Sequence, residues 1–428
     1  MGFERLSVAS PGNIRLLNGE HLLLGGTPPG WPGRPVAPAF FYKRRYTLDG
    51  DFVVGCPIGC SFCYYRWINN TADTIGTGKQ GLRRIGEPEE AVEFLQQSRL
   101  FRPGRDILTL CARSDGSVQV DEITRFLRAF PHPNPVFVLH RGYFGRRQLE
   151  AWGEDPRVVF CTTITPAPPE AGPGSWTPIR PERQLKGLRF LLRGGVPPQR
   201  ISVMCGPFNR NNVDAGVRLI EALGEMGIPF ATYRGCSIGS FGVTPDWERL
   251  RREGFLDGTQ DEDAAPEGHE YYQMKNWLHP DVEERLLRAG ERAGVRLYRH
   301  TGLLYQREFG VSVARNRNNR WRRELGPWRR VEIPRLEAFL RELGYRPLAI
   351  QETPEGYWVE LPEGQTATED VAMTVGAEFE TSVLFNHYRI APSLRDLYFY
   401  AENRLFWPLP EGWEEAVEIA MRMVDGRL

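Results

Sequence analysis

Six short β-type runs alternate with helical stretches between residues 51 and 253, and this alternation constrains the fold more than any other feature of the sequence. Helices that connect successive strands favour parallel pairing, because each helix returns the chain to the same end of the sheet. The predicted strands are 51–55, 106–111, 135–139, 157–162, 201–205 and 229–234. The predicted helices are 87–98, 121–130, 144–152, 181–193, 212–226 and 245–253. An open or partial barrel and a doubly wound sheet both fit this α/β pattern.

The segments on either side of the alternating region have a different composition. Residues 1–45 are rich in glycine and proline, which predicts an irregular N-terminal arm. The α/β region spans 46–256 and ends at a polar, acidic linker. Residues 257–428 are predicted to form an added C-terminal α/β region that covers the mouth of the barrel.

The charge balance and hydropathy exclude two classes of protein. The chain has 54 Lys and Arg against 54 Asp and Glu, so no overall field attracts polyanions. No run of about 18 uncharged apolar residues is present, which argues against a membrane protein. The N-terminal residues lack the apolar core and cleavage site of a secretory signal, so we expect a cytoplasmic protein with reduced thiols.

Three of the seven cysteines lie within eight residues, as Cys56, Cys60 and Cys63. The spacing Cys-x3-Cys-x2-Cys allows three thiolates to converge on one small metal centre. A structural zinc site normally takes four protein ligands, and no fourth Cys or His lies nearby in the sequence. A 4Fe-4S cluster held by three cysteines keeps one iron free to bind a small molecule. A zinc site completed by a distant residue, or three unrelated core cysteines, is the alternative.

This triplet, with the aromatic Phe62 before its last cysteine, resembles the signature of the radical SAM superfamily. The resemblance implies a partial (β/α)6, TIM-like barrel over residues 46–256. It implies an enzyme that reductively cleaves S-adenosylmethionine at a 4Fe-4S cluster bound by Cys56, Cys60 and Cys63. The resulting 5′-deoxyadenosyl radical would abstract hydrogen from the substrate. A one-electron donor of the flavodoxin or ferredoxin type would supply the electron.

Within the superfamily, later segments resemble spore photoproduct lyase and its DNA-repair-photolyase-like relatives. The segment Cys111-Ala-Arg-Ser114-Asp115 is similar to a Cys-x-x-Ser-Asp stretch in those lyases. This resemblance implies a lyase-like enzyme that acts on a nucleic-acid lesion or nucleotide. Cys111 or a nearby tyrosine, such as Tyr64, would return a hydrogen atom to the substrate.

Residues at the ends of the predicted strands are candidates for binding S-adenosylmethionine, because the carboxyl ends of barrel strands form the active site. Ser114 and Asp115 would take the methionyl amino group or the ribose. His140 or Arg141 would meet the carboxylate. The ribose hydroxyls would bond to two further side chains, Thr163 and Asn209. Helix capping by Ser-Asp and turn formation by Asn are the structural alternatives.

Four further cysteines also fall at or just after strand ends, namely Cys111, Cys161, Cys205 and Cys236. Buried core positions are one explanation, since cysteine is among the most buried residue types. An auxiliary iron–sulfur cluster inside the barrel is another, and its ligands would be these four thiols. That reading suits a radical SAM enzyme that modifies a peptide or small metabolite, including by sulfur insertion. A non-catalytic iron–sulfur electron-transfer protein is a third possibility.

The segment 315–330 carries seven arginines in 16 residues, with Trp321 and Trp328 among them. Arginines that contact phosphates and aromatic rings that stack on bases would suit a nucleic acid or nucleotide. A solvated face in an arginine-rich chain is equally natural.

Overall fold

The computed structural model describes the greater part of the chain between residues 41 and 389. The described residues are 41–43, 47–54, 56–60, 83–84, 87–97, 101–112, 114–166, 168, 176–241, 251–252, 254, 271–299, 301–312, 328–354, 356–362, 365, 367–385 and 388–389. Residues 1–40 of the predicted N-terminal arm lie outside this set, whereas 41–43 form an edge strand.

Nine of the described strands form one sheet, in the order β1-β2-β5-β6-β7-β8-β9-β10, with β11 also paired to β9. Seven of them run parallel, and the edge strands β1 and β10 are antiparallel to their neighbours. The strands are β1 Phe41–Lys43, β2 Thr47–Gly50, β5 Ile107–Leu110, β6 Val136–His140, β7 Val158–Ile164, β8 Ile201–Phe208, β9 Phe230–Phe241, β10 Tyr271–Trp277 and β11 Arg296–Tyr298. A separate pair consists of β3 Val53–Val54 and β4 Arg83–Arg84.

Helices connect these strands and lie on one side of the sheet. They are α1 Pro88–Gln97, α2 Val120–Ala129, α3 Arg146–Trp152, α4 Pro181–Arg193, α5 Val213–Glu225 and α6 Pro280–Ala293. Alternate strand residues such as Leu108, Val138 and Phe160 pack with the helices in one core cluster. Their neighbours along the strands face the other side, which we call the inner face.

The order of the parallel strands settles the architecture. Strands β5 to β9 pair in chain order, and the core that they share with helices α1 to α6 lies on one side. A doubly wound sheet would reverse its strand order and place helices on both sides. The chain is therefore an α/β protein built as a partial barrel, as the sequence predicted.

The inner face is closed at the amino ends of the strands by helix α7, Thr301–Phe309. Leu304 and Tyr305 of this helix pack against Phe137 and Val159, and the rings of Phe137 and Tyr305 lie 4.7 Å apart. Farther along the strands, Leu139, Thr163 and Met204 are only partly buried. The inner face is thus packed at one end and accessible at the mouth, where the carboxyl ends of the strands lie.

The first parallel strand is not at the predicted position 51–55. The sheet instead begins its parallel part at Thr47–Gly50, which pairs with Ile107–Leu110. The polar residues Thr47 and Asp49 hid this strand from a prediction that relies on apolar runs. In the fold these two side chains satisfy each other, because Thr47 Oγ1 donates to Asp49 Oδ1 at 2.6 Å. Val53–Val54 pairs with a different short strand.

The sheet also continues past the predicted boundary at residue 256. Strand β9 runs to Phe241, the antiparallel strand β10 follows, and helix α6 leads into the seventh parallel strand, β11. Most of the predicted helix 245–253 lies outside the described residues. A polar segment between β9 and β10 marked a boundary in the sequence, but the chain returns to the same sheet after it.

The last described elements form a smaller C-terminal module. Its three-stranded sheet has the order β12-β13-β15, and two more short strands, β14 and β16, pair separately. The elements are α8 Ile333–Glu342, β12 Ala349–Thr353, β13 Gly356–Glu360, β14 Ala367–Thr368, α9 Glu369–Phe379, β15 Val383–Phe385 and β16 Tyr388–Arg389. Within the described helices of the chain, none is long and apolar enough to cross a membrane.

The C-terminal module packs at the end of the barrel opposite the mouth. Arg102, which precedes β5, stacks 4.2 Å from the ring centre of Phe339 and bonds to Glu342 at 3.3 Å. Arg105, in the same loop, pairs with Glu378. Because this loop enters the amino end of β5, the described part of the C-terminal module meets the barrel at that end, and coverage of the mouth by the C-terminal region stays a prediction.

Replacing Phe339 by Ala is expected to lower the free energy of unfolding by about 3 kcal/mol, because it leaves a cavity between Phe379 and Arg102. Urea denaturation measures this loss. The control is Leu348→Ala at a 66% exposed position, which should cost less than about 0.5 kcal/mol. Equal effects of the two substitutions would contradict the packing of the module.

Candidate functional site

Two of the three clustered cysteines lie in a loop that follows β2 at the carboxyl end of the sheet. Cys60 is buried and donates from Sγ to Thr177 Oγ1 at 3.5 Å, whereas Cys56 is half-buried. Thr177 lies between β7 and α4, so the loops after the first and fourth parallel strands meet at the mouth. Cys63 and Tyr64 lie outside the described residues.

The described part of this loop suits an iron–sulfur cluster. Thiolates are the ligands that such clusters take, and Gly59, at φ 66°, makes a turn between Cys56 and Cys60 that other residues rarely adopt. Among the described residues, no three His, Cys, Asp or Glu side chains form a group suited to a metal. The third predicted ligand, Cys63, is not one of the described residues. Two of the three predicted ligands are therefore present in one described loop.

A buried polar network lies next to the cysteine loop. Ser114 Oγ donates to Asp51 Oδ1 at 2.6 Å. The Gln119 amide donates to Ser114 Oγ and, at 3.4 Å, to Cys111 Sγ, while its oxygen accepts the Phe52 N–H at 2.9 Å. This network connects the segment after β2 to the segment after β5. The predicted site residue Ser114 belongs to the network and so helps to position these two segments.

Cys111 is held as a neutral thiol in this network. Burial, and then the charges of Asp51 and Asp115, raise the pKa of the Cys111 thiol well above its ordinary value. Cys111 also has a left-handed backbone, at φ 66°, and joins the core on the helix side of the sheet. A hydrogen donor must carry its proton, as Cys111 does, but it must also reach the inner face. Its role as a donor remains a prediction.

Asp115 holds the ends of two neighbouring strands together. Its carboxylate accepts the N–H groups of Ser117 and Arg141, and so caps the turn Gly116–Val118 after β5. The structure thus gives Asp115 the capping role that the sequence left as an alternative to cofactor binding.

His140 lies on the helix side and not at the inner face. Its ring packs 4.7 Å from that of Phe144, and Nε2 is 3.4 Å from the Gln148 amide nitrogen. Burial lowers the pKa of His140 despite the nearby Asp115, so the ring is neutral at pH 7. A buried neutral ring does not suit the carboxylate that the sequence assigned to His140 or Arg141.

Arg141 and Thr163 remain the candidates at the mouth. Arg141 Nη1 donates to Thr165 Oγ1 at 3.0 Å, and Thr163 is half-buried at the end of β7 on the inner face. Gln184 fixes both positions, since its amide donates to the carbonyls of Arg141 at 2.6 Å and Thr163 at 2.7 Å. Sequence reasoning missed Gln184, because a single glutamine on an amphipathic helix carries no signal.

Asn209 takes part in a turn after β8. Its amide nitrogen donates to the Gly254 carbonyl at 2.8 Å, and its oxygen accepts the Asn211 N–H at 2.9 Å. Asn212 accepts the Asn209 N–H at 2.9 Å and donates to the Pro166 carbonyl at 2.7 Å. These contacts match the turn-forming alternative, and binding of a ribose by Asn209 remains a prediction.

The predicted auxiliary cluster is wrong for its described ligands. Cys161 belongs to the inner core with Val159, whereas Cys205 belongs to the core on the helix side. Cys205 pairs in register with Ile164, three residues beyond Cys161, so the two thiols point to opposite faces of the sheet. The side chain of Cys236 lies outside the described residues.

The basic segment 315–330 is described only from Trp328 onward. Arg329 pairs with Glu380 at 2.6 Å and Arg330 with Glu352 at 2.7 Å. These two arginines therefore engage carboxylates of the C-terminal module, and the other five lie outside the described residues.

The chain is similar to solved structures of the Streptococcus suis protein SuiB. With SuiB bound to S-adenosylmethionine, the identity is 9% and the TM-score 0.39, over 59% of this chain and 50% of SuiB. With SuiB alone, the values are 9% and 0.38, over 59% and 49%. With SuiB bound to the precursor peptide SuiA, they are 11% and 0.34, over 45% and 40%. No protein-family profile and no curated protein matches the chain.

The match thus spans about half the length of SuiB. The predicted similarity to spore photoproduct lyase finds no support in these comparisons.

Burial raises the pKa of the Cys161 and Cys205 thiols to about 12, from about 9. The unfolded chain therefore loses these protons first as the pH rises, and ionisation favours unfolding. Above about pH 9, each thiol should lower the free energy of unfolding by about 1.4 kcal/mol per pH unit. Urea denaturation at several pH values measures this slope. Cys161→Ala or Cys205→Ala should each make it shallower, and an unchanged slope would show that the thiols ionise in the fold.

Replacing Gln184 by Leu is expected to lower the free energy of unfolding by about 2 kcal/mol, since two carbonyls at the mouth lose their donor. Denaturation with urea gives the value. Glu182→Leu, in the first turn of the same helix, serves as the control because its exposed side chain has no hydrogen bond to the described residues. A cost no larger than that of the control would refute the positioning role of Gln184.

Proposed function

We propose that the chain is a radical SAM enzyme that modifies a peptide or a small metabolite. The observation that carries this proposal is the Cys-x3-Cys-x2-Cys triplet, whose first two members lie in the loop after the first parallel strand of a partial barrel. This is the loop in which the superfamily resemblance expects the cluster. Cys56 and Cys60, with Cys63, would be its ligands.

The two ends of the inner face support a reaction at the mouth. At the amino ends, Phe137, Val159 and Phe230 are almost fully buried under helix α7, so the described part of this end is packed. At the carboxyl ends, the apolar side chains of Leu139 and Met204 are partly exposed. A site of this shape admits ligands from one side and restricts the water that would quench a reactive species.

Each candidate residue has a defined task in this proposal. When bound, the 4Fe-4S cluster supplies the electron that cleaves S-adenosylmethionine. Arg141 carries a fixed positive charge at the mouth and would bind the carboxylate of S-adenosylmethionine. Thr163 would bond to a ribose hydroxyl, and Ser114 and Asp115 hold the surrounding loops. A flavodoxin or ferredoxin would deliver electrons to the cysteine loop.

Two contacts favour the peptide or metabolite substrate over a nucleic-acid lesion. Cys111, the proposed hydrogen donor in the lyase-like reading, packs on the helix side of the sheet. Arg329 and Arg330, which were expected to meet phosphates, are paired with Glu380 and Glu352. The crystallised complex of SuiB with a precursor peptide agrees with this choice but does not support it independently.

Anaerobically reconstituted protein should bind about four iron per chain and convert S-adenosylmethionine to 5′-deoxyadenosine when reduced with dithionite. Cys60→Ala should abolish both, because it removes a ligand. Cys205→Ala is the matched control, a buried cysteine on the helix side, and should retain both. Bound zinc without iron would overturn the proposal. Iron without cleavage of S-adenosylmethionine would instead indicate an electron-transfer protein.

The nucleic-acid alternative is tested on the same preparation. A duplex with a thymine-dimer-type lesion should show no salt-sensitive binding in fluorescence anisotropy, if the substrate is a peptide or metabolite. Tight binding at low salt that weakens as salt is added would restore the lyase-like reading.

A further inference from the structure

Arg234 occupies an unusual position on the inner face of the sheet. It lies on β9, where Phe230 packs in the inner core and Tyr233 bonds at 2.6 Å to Glu283 on the helix side. Alternation along the strand therefore directs Arg234 inward. The Arg234 charge opposes the rise that burial causes in the pKa of Cys161, another inner-face residue, which is consistent with this direction.

The guanidinium of Arg234 has no acceptor among the described residues, and its side chain is exposed. Other arginines that follow or precede strands are bonded. Arg157 donates to the Leu127 carbonyl at 2.7 Å, and Arg200 donates to the Val158 carbonyl at 2.8 Å. Those residues hold the amino ends of the strands together. Among the described residues Arg234 makes no such contact, and it faces the accessible part of the inner face.

The backbone at Arg234 is held in place by its neighbour on β8. Gly206 has φ 122°, and a Cβ there would lie 2.7 Å from the Arg234 carbonyl oxygen. The register between β8 and β9 shifts at this point, between Cys205 and Phe208. A glycine-dependent irregularity thus fixes the strand segment that carries the charge.

Along the sheet, Arg234 lies farther from the cysteine loop than Arg141 does. Strands β2 and β9 are five steps apart in the sheet, which corresponds to on the order of 20 Å along its curved surface. Arg141, after β6, is only two steps from β2 and is the nearer cation for the methionyl carboxylate. An anion at Arg234 therefore belongs to the second ligand in the barrel.

We infer that Arg234 binds a carboxylate of the substrate, and so selects a peptide or metabolite that carries an acidic group. This inference rests on the proposed function for the identity of that ligand. The planar guanidinium can donate two parallel N–H bonds to a carboxylate, which gives such a pair both strength and a defined orientation. Arg234 acts in substrate recognition and has no part in cleaving S-adenosylmethionine.

The test uses two matched probes, N-acetyl-Gly-Glu-Gly-amide and N-acetyl-Gly-Gln-Gly-amide, which differ in one carboxylate. Titration calorimetry on the full chain should give about tenfold or greater preference for the glutamate probe, as expected for a charge-assisted pair. Arg234→Met should remove the preference, and Arg234→Lys should keep part of it. Protection of Arg234 from phenylglyoxal, mapped by mass spectrometry, locates the bound probe.

Arg218→Met is the matched control, because Arg218 is also exposed but lies on helix α5 outside the barrel. It should retain the full preference. Equal affinity of the wild type for both probes, or no binding of the glutamate probe at millimolar concentration, would overturn the inference. So would a preference that survives in Arg234→Met.

The two proposals fail in different ways. S-adenosylmethionine should bind Arg234→Met and the wild type with the same affinity, and both should cleave it. If the protein cleaves S-adenosylmethionine but shows no preference for the glutamate probe, the inference fails and the proposed function stands. If the preference exists without cluster or cleavage, the carboxylate site stands and the proposed function fails.

Discussion

The alternation of side chains along the parallel strands is the constraint on which the other features rest. Neighbouring residues face opposite sides, so each strand contributes to two separate cores. Six helices bury one side along its length, whereas Thr301–Phe309 closes the inner side at the amino ends of the strands. Because the two sides are covered unequally, the described part of the inner face is accessible at the carboxyl ends. The candidate site lies there for this reason.

Buried amides give the mouth its shape. Gln119 satisfies Phe52 and Ser114, and Gln184 satisfies the carbonyls of Arg141 and Thr163. Each amide joins segments that follow different strands, and each would leave buried polar groups without partners if it were lost. The described segments around Ser114, Arg141 and Thr163 are therefore held in position by the fold itself.

Cysteines at similar positions in the sequence have different chemistry because their surroundings differ. Cys161 and Cys205 are fully enclosed, and burial keeps them protonated. Cys56, by contrast, is half-buried in a glycine-containing loop at the mouth. Four cysteines at strand ends suggested one shared site, but strand parity sends Cys161 and Cys205 to opposite faces.

Local patterns were enough to predict much of this protein. Helix 181–193 matches its predicted bounds, and five of the six predicted strands lie in the parallel sheet, because apolar periodicity and helix boundaries are encoded over a few residues. The spacing of Cys56, Cys60 and Cys63 predicts a cluster site, and this assignment stays a prediction. Long-range packing settled the rest. Strand Thr47–Gly50 has two polar side chains and lies between strands Phe41–Lys43 and Ile107–Leu110. The C-terminal module meets the barrel through Arg102 and Phe339. Arg234 is placed by the register of β9 against β8. These contacts join residues far apart in the chain, and no short window of sequence contains both partners.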